Sequence, residues 1–168
     1  PEIAANTITL MAPSKTFNVP GLNCAFAIIP NDGRRRRFKK ARADIVPHPN
    51  ALGYAACLAA YRDCETWRTA LIDTLRSNKD LVHRFINNDV PGLSMDDVQA
   101  TNLAWIDTTE LRLPQPARVF EQAGVGLSDG KDFQGEGYVR LNFVCPRQTL
   151  QEGLDRIKAA VLQRERRD

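Results

Sequence analysis

Residues 138–145 constrain the fold of this chain most, because every second side chain in this stretch is apolar. Successive side chains of a β-strand point to opposite faces, so a period of two predicts a strand with one buried face. The apolar set is Val139, Leu141, Phe143 and Cys145. Arg140 and Asn142 fall on the other face. The sequence therefore predicts a sheet that packs one face on a core and keeps Arg140 on the opposite face.

Helical periodicity dominates two other parts of the chain. Asn50 is an N-cap candidate for a long helical region that stops near Asn88, with a break expected around residues 63–66. Near the end of the chain, four apolar residues at helical spacing predict a helix with one buried stripe: Leu150, Leu154, Ile157 and Val161. Thr149 and Glu152 have the spacing of a capping box at the start of that helix.

Shorter strands are predicted at residues 7–11, 25–29, 100–107 and 125–127. The second of them is followed by a predicted turn at residues 30–33. Strands and helices in this order indicate an α/β or α+β plan. The first two strands are apolar enough to be buried, yet this part of the sequence supplies few partners to cover them. We therefore expect them to belong to a larger sheet whose other strands lie outside this sequence. Trp67 and Trp105 fall in periodic apolar patterns and are expected to pack in a core.

Composition excludes several classes of protein. The 168 residues are 43% hydrophobic and 26% charged, which is typical of a globular domain. No apolar run approaches the roughly 20 residues that span a bilayer, so no membrane association is expected. The net charge of +3 is too small to indicate nucleic-acid binding. Residues 34–42 form a basic run that leaves open a nucleic-acid or regulatory role, although a solvated surface is favoured.

The cysteines match no zinc-binding pattern, and no metal site is expected. Cys24, Cys57 and Cys145 each lie in an apolar stretch. Their spacing and surroundings indicate small buried thiols in a reducing compartment, which predicts a cytoplasmic location.

Two residues suggest chemistry, and each has an ordinary alternative. Lys15 follows a predicted strand in a loop rich in proline and glycine. Most loop lysines are simply solvated, but a lysine can also attack a carbonyl and form a Schiff base. Arg140 suits a two-pronged bond to a carboxylate. A structural salt bridge or an arginine on a solvated sheet face would explain the same pattern.

Two segments resemble one enzyme family closely. Residues 11–22, MAPSKTFNVPGL, resemble the cofactor-lysine segment of fold-type I pyridoxal phosphate (PLP) enzymes. Residues 137–146, GYVRLNFVCP, resemble the strand that carries the substrate-binding arginine of those enzymes. Other stretches resemble the family in the same order: residues 31–33, 50–56, 59–61, 103–107 and 123–130, the last together with Phe133. The nearest resemblance is to the cystathionine β-lyase (C–S lyase) branch of the class I/II aminotransferase family.

The resemblance implies an α/β fold of the PLP-dependent transferase type, represented by its C-terminal part. Residues 1–46 would end the large cofactor domain, residues 47–92 would form a long helical connection, and residues 93–168 would form the small C-terminal domain. The resemblance also implies that such a protein is a homodimer. The part of the enzyme that precedes the lysine in the family would have to come from outside this sequence.

The resemblance further implies a function for three residues. Lys15 would hold PLP as a Schiff base and move a proton at the substrate Cα. Ser14 would help to bind the cofactor phosphate, and Arg140 would hold the substrate α-carboxylate. The implied reaction releases a sulfur leaving group from Cβ of an amino acid and yields pyruvate, ammonia and a thiol. An aminotransferase of the same fold is the alternative.

One residue departs from the pattern of the aminotransferases. Many of them carry a phosphate-binding arginine eight residues after the lysine, where this chain has Asn23. The neutral residue favours the lyase branch and moves phosphate binding to other groups. Since the family's partner for the pyridine nitrogen precedes the lysine, we expect these 168 residues alone to have little or no lyase activity.

Overall fold

The computed structural model describes residues 2–43 and 45–165 and divides the chain into two compact units, residues 1–70 and 71–168. The fold is mixed α/β, as the sequence predicts. No helix within the described ranges is long and apolar enough to cross a membrane. The three-part functional division of the chain stays a prediction.

The first unit contains two short strands and the helices that follow them. Its elements are α1 (Glu2–Ala5), β1 (Thr9–Met11), β2 (Phe26–Ile28), α2 (Asp32–Arg42), α3 (Ala51–Asp63) and the beginning of α4 (Glu65–Asp89). The strands pair antiparallel with Leu10 opposite Ala27. Both strands are shorter than predicted. They leave four large apolar side chains exposed, namely Leu10, Met11, Phe26 and Ile28. This exposure agrees with the expectation that they find few partners within this sequence.

Helix α2 carries the basic run. The sequence predicts a turn at residues 30–33, but the Asn31 side chain instead accepts a hydrogen bond from the Arg34 backbone N–H at 3.0 Å and caps the helix. Asn31 is a good N-cap residue as well as a good turn residue, which explains the error. Arg35 pairs with Asp32, and Arg34 donates to Asn6 at 2.6 Å. None of the residues of α2 is buried, so the basic run lies on a solvated surface.

Two further predictions concern α3 and α4. Asn50 caps α3 by accepting from the Gly53 N–H at 2.8 Å, and the predicted break falls at Cys64 between the two helices. The expectation that Trp67 packs in a core is wrong, because its side chain is 48% exposed. The helical period determines the face of α4 on which Trp67 lies, but the first unit has few residues that pack over that face.

The second unit contains the well-packed core. It holds the rest of α4, β3 (Leu103–Asp107), α5 (Pro116–Gln122), β4 (Ser128–Asp129), β5 (Tyr138–Asn142) and α6 (Arg147–Glu165). The strands form one antiparallel sheet in the order β3-β5-β4. Its buried face packs against the helices through Val82, Ile86, Ala104, Ile106, Phe120, Val139, Leu141, Phe143, Leu150, Leu154, Ile157 and Val161.

The structure confirms the alternation in β5 and the stripe of α6. Two local predictions in this unit are wrong. The strand expected at residues 125–127 lies at Ser128–Asp129, because the Val125 N–H bonds to the Phe120 carbonyl and ends α5. Helix α6 begins before the predicted capping box, since the Leu150 N–H already bonds to the Pro146 carbonyl at 3.0 Å.

All four cysteines are free thiols of intermediate exposure. The prediction that Cys24, Cys57 and Cys145 are buried thiols is therefore wrong. Partial burial raises the pKa of the Cys145 thiol, and it also raises the pKa of Cys57, with a smaller contribution from a hydrogen bond to Cys24. An apolar neighbourhood in the sequence does not cover a thiol when few elements pack over it.

Candidate active site

Lys15 lies in a tight turn directly after β1. The turn is closed by two backbone hydrogen bonds, from the Phe17 N–H to the Pro13 carbonyl at 2.9 Å and from the Val19 N–H to the Ser14 carbonyl at 3.1 Å. Asn18 adopts a left-handed conformation with φ 54°, which asparagine tolerates better than most residues. The turn therefore fixes the backbone of Lys15 while its side chain remains exposed.

The Lys15 amine is not paired in the described part of the chain, where it has no hydrogen bond or ion pair. The neighbouring Ser14 is half-buried, and its hydroxyl likewise has no partner among the described residues. An amine without a carboxylate partner can condense with an aldehyde, because no ion pair has to be broken first. A hydroxyl beside it can donate to a phosphate oxygen. Neither side chain has a competing partner there that would conflict with the cofactor-binding roles that the resemblance implies for them.

An aromatic cluster lies beside the Lys15 turn within the first unit. Phe17 stacks on Trp67 with ring centroids 5.9 Å apart and meets Tyr61 edge-on at 6.0 Å. Tyr61 also meets Phe26 edge-on at 6.0 Å. Sequence reasoning did not single out Phe17 or Tyr61, since neither falls in a periodic pattern with the others. The cluster holds the turn that follows β1 against α3 and the start of α4.

Asn23, which replaces the arginine of many aminotransferases, ends a short 3-10 turn at Pro20–Leu22. Its backbone is left-handed with φ 48° and ψ 47°, and its N–H bonds to the Pro20 carbonyl at 3.1 Å. Next to it, Gly53 at the start of α3 lies so close to the Leu22 carbonyl that a Cβ would overlap it. The backbone of this segment is thus fixed against the N-terminal end of α3.

Arg140 lies in the second unit, on the face of the sheet that is turned away from the core. It is directly opposite Trp105 on β3 and Ser128 on β4, so the three residues form one row across the sheet. Its Nη2 donates to the Ser128 Oγ at 3.2 Å, and its Cζ lies 4.1 Å from the centre of the Phe133 ring. Trp105 meets Phe133 edge-on, with centroids 6.2 Å apart. Because Trp105 is half-buried on this face, the expectation that it packs in a core is wrong.

The alternatives for Arg140 can be compared with this geometry. Among the side chains that the structure describes, no carboxylate lies within ion-pair distance of its guanidinium, so a structural salt bridge finds no partner there. The side chain is half-buried rather than freely solvated. A guanidinium with unused N–H donors on a half-buried face can bind a carboxylate from outside. Phe133, Ser128 and Trp105 were not predicted as its neighbours.

Tyr138 shares this face with Arg140. Its ring stacks on Trp105 at 5.5 Å, and a hydrogen bond to the Asp107 carboxylate raises the pKa of its hydroxyl. Hydrogen bonds from the Thr109 side chain and backbone N–H lower the pKa of Asp107, and the bond from Tyr138 adds a smaller effect. The orientation of Tyr138 is therefore set by Asp107 and Trp105 and not by Arg140.

Lys15 and Ser14 lie in the same turn, and Arg140 belongs to the other unit. Each unit thus carries one part of the predicted site. Among the described residues there is no group of three or more histidine, cysteine, aspartate or glutamate side chains that could hold a metal ion.

No protein-family model matches the chain. It is 33% identical to cystathionine β-lyase PatB of Bacillus subtilis over 95% of this chain and 43% of PatB. It is 52% identical to the Probable N-acetyl-LL-diaminopimelate aminotransferase of the same organism, over 94% of this chain and 41% of that protein. The chain thus spans about two fifths of the length of the curated relatives that it matches.

The solved structures agree with these relatives. The fold superposes on OvoB with a TM-score of 0.93 and 44% identity, over 95% of this chain and 42% of OvoB. It superposes on cystalysin from Treponema denticola, which contains pyridoxal 5'-phosphate, with a TM-score of 0.89 and 32% identity, over 96% of this chain and 43% of cystalysin. The chain is thus similar to the C-terminal portion of cystathionine β-lyases, and its fold matches the C-terminal portion of fold-type I PLP-dependent enzymes.

Proposed function

We propose that the protein carrying this sequence is a PLP-dependent carbon–sulfur β-lyase. It would act on amino acids with a sulfur leaving group at Cβ, of the cystathionine or cysteine-S-conjugate type, and release pyruvate, ammonia and a thiol. The observation that carries the proposal is the match to cystathionine β-lyases over 95% of this chain, which includes both Lys15 and Arg140. The Lys15 amine and the Arg140 guanidinium, which have no ion-pair partner among the described residues, support it.

Lys15 would bind the cofactor covalently through Nζ and, once released, take the proton from the substrate Cα. When bound, PLP supplies an electron sink that makes this proton easier to remove. The turn closed on Pro13 and Ser14 fixes the lysine backbone, so that only the side-chain torsions of Lys15 would have to be ordered when the cofactor binds. The Ser14 hydroxyl would donate to the cofactor phosphate.

Arg140 would hold the α-carboxylate of the substrate. The guanidinium has five N–H donors, and only the bond to Ser128 engages one of them within the described residues. A carboxylate bound in a two-pronged manner fixes two atoms of the amino acid. This orients the Cα–H bond relative to the base that removes its proton.

We also propose the parts of the assembly that this sequence does not contain. The group that pairs with the pyridine nitrogen, and further contacts to the phosphate, would come from the remainder of the enzyme. We propose that residues 1–46 belong to the cofactor domain, with residues 47–92 as the connection and residues 93–168 as the small domain. The active protein would be a homodimer in the cytoplasm, and the four free thiols agree with a reducing compartment.

An aminotransferase is the second candidate, since one relative with 52% identity bears that name. Asn23 favours the lyase, because a neutral residue replaces the arginine that many aminotransferases use for the phosphate. The products distinguish the two candidates. A lyase forms pyruvate and ammonia from L-cystathionine, whereas an aminotransferase forms a new amino acid from a keto acid.

The test uses the natural protein that carries this sequence, together with its Lys15→Ala variant. We expect the natural protein to gain a visible absorbance band with PLP and to release pyruvate from L-cystathionine. The variant should lose both the band and the turnover. A variant that keeps the band, or a natural protein that only transfers amino groups, would contradict the proposal. The isolated 168 residues should show little or no turnover.

A further inference from the structure

We propose that Phe133 and Ser128 are positioning residues that hold the guanidinium of Arg140 ready for a substrate carboxylate. The inference rests on the proposed function of Arg140 and names what keeps its side chain in place. Ser128 fixes one nitrogen of the fork, and Phe133 supports the guanidinium through its aromatic ring. Neither residue would touch the reacting atoms.

The two contacts engage one N–H donor of the guanidinium and leave the other four without a partner among the described residues. The Ser128 Oγ accepts from Nη2 at 3.2 Å, and it lies on β4 directly opposite Arg140 on β5. The Phe133 ring centre is 4.1 Å from the guanidinium carbon, within the range of a cation–π interaction. An aromatic ring accepts the cation without consuming an N–H group that a carboxylate would use. The arrangement restrains a long side chain at little loss of binding capacity.

Phe133 is itself held by a rigid loop between β4 and β5. The Gly135 N–H bonds to the Gly130 carbonyl at 2.8 Å, and the Asp129 side chain accepts from the Lys131 N–H at 3.0 Å. A Cβ at Gly130 would overlap backbone atoms, and a Cβ at Gly135 would overlap the Trp105 ring. The loop is therefore packed as closely as its residues allow. It places Phe133 over Arg140 although the Phe133 side chain is 46% exposed.

The exposed ring of Phe133 can strengthen ligand binding by ordering the Arg140 guanidinium in advance. An arginine side chain loses conformational entropy when a ligand orders it, and that loss weakens binding. If Phe133 and Ser128 order the guanidinium beforehand, the free protein has already lost most of that entropy. Removal of either residue should then weaken binding of any ligand with a carboxylate and leave binding of a matching amine unchanged.

The experiment measures calorimetric affinity in the PLP-loaded natural protein for two probes, L-methionine and 3-(methylthio)propylamine, which lacks the carboxylate. Phe133→Leu should weaken L-methionine binding by about three- to tenfold, and Ser128→Ala by about two- to tenfold. Neither variant should change the affinity for the amine. Phe133→Tyr and Ser128→Thr keep the ring and the hydroxyl and should restore tight binding. With a reactive substrate, KM should rise more than kcat falls.

The matched control is Phe85→Leu, since Phe85 also lies under a cation in the second unit, Lys158 at 5.7 Å. That variant should bind L-methionine normally. If Arg140→Ala weakens L-methionine binding but Phe133→Leu and Ser128→Ala do not, the positioning inference is wrong and the proposed function stands. If Arg140→Ala has no effect, the proposed clamp is wrong as well. Equal loss for the amine would also refute positioning.

Discussion

Trp105 and Arg140 lie directly opposite each other on β3 and β5, and both side chains project from the face that the core leaves open. Their buried neighbours Ala104, Ile106, Val139 and Leu141 occupy the other face. The core thus fixes the backbone beneath Arg140, and Trp105 provides a rigid wall beside it. Because the indole also contacts Gly135, the packing of one glycine bears on the geometry around the arginine.

Gly135→Ala tests this packing. The new Cβ would overlap the Trp105 ring, so the indole or the loop has to move, and overpacking of this kind costs about 1–3 kcal/mol of stability. Urea denaturation measures the loss, and fluorescence reports the displacement of Trp105 in a background where every other tryptophan of the protein is replaced by phenylalanine. Gly153→Ala is the control, because a Cβ at this position of α6 meets open space. This change should stabilise the protein by about 0.5–1 kcal/mol. Equal effects of the two changes would contradict the packing argument.

Asn78 anchors the end of the arginine strand to α4. Its side-chain amide is 2% exposed and donates to the carbonyls of Phe143 and Cys145 at 3.0 and 3.1 Å. Asn78→Ala leaves both carbonyls without this donor and opens a small cavity, so we expect a loss of about 2–4 kcal/mol in the free energy of unfolding.

Urea denaturation followed by far-UV circular dichroism measures this loss. Asn102→Ala removes only an exposed side-chain bond to Asn142 and should stay within about 0.5 kcal/mol of the parent. A similar loss for both variants would show that the buried amide is not a special anchor.

The hydrogen bonds at Asp107 predict a pH dependence of stability. The hydrogen bonds from Thr109 lower the pKa of Asp107 in the folded protein. The ionised carboxylate therefore contributes fully to the stability of the fold above the ordinary carboxyl pKa of about 3.9, and this contribution is lost as the pH falls through the lowered pKa. Asp107→Asn should therefore be less stable than the parent at pH 7, and the difference should shrink at pH 3. Thr109→Val, which removes the largest cause of the shift, should weaken this pH dependence. A difference that is the same at both pH values would contradict the assignment.

Local patterns in the sequence predicted much of the second unit. The alternation at residues 138–145 predicted the strand, its buried face and the position of Arg140 on the opposite face. Such a prediction is possible because a strand that packs on a core has a strict period of two. The same holds for the buried stripe of α6. These patterns fail where one side chain has two uses, as with Asn31, whose amide suits both a turn and a helix cap.

The surroundings of the candidate residues could not be predicted in the same way. Phe133 meets Arg140 because a loop folds back over the sheet, and no periodic pattern encodes such a contact. Trp67 is on the expected helix face, but periodicity does not tell how much chain covers that face. The roles of Lys15, Ser14 and Arg140 came from resemblance to an enzyme family, since their residue types alone fit ordinary alternatives as well.

The most direct test of the account is to locate the covalent attachment of the cofactor. The natural protein is loaded with PLP, reduced with borohydride to fix any lysine adduct, digested, and analysed by mass spectrometry. The account predicts a pyridoxyl group on the peptide that contains Lys15, lost in Lys15→Ala and retained in Arg140→Ala. A label on another lysine, or no label in a protein that binds PLP tightly, would contradict the central claim.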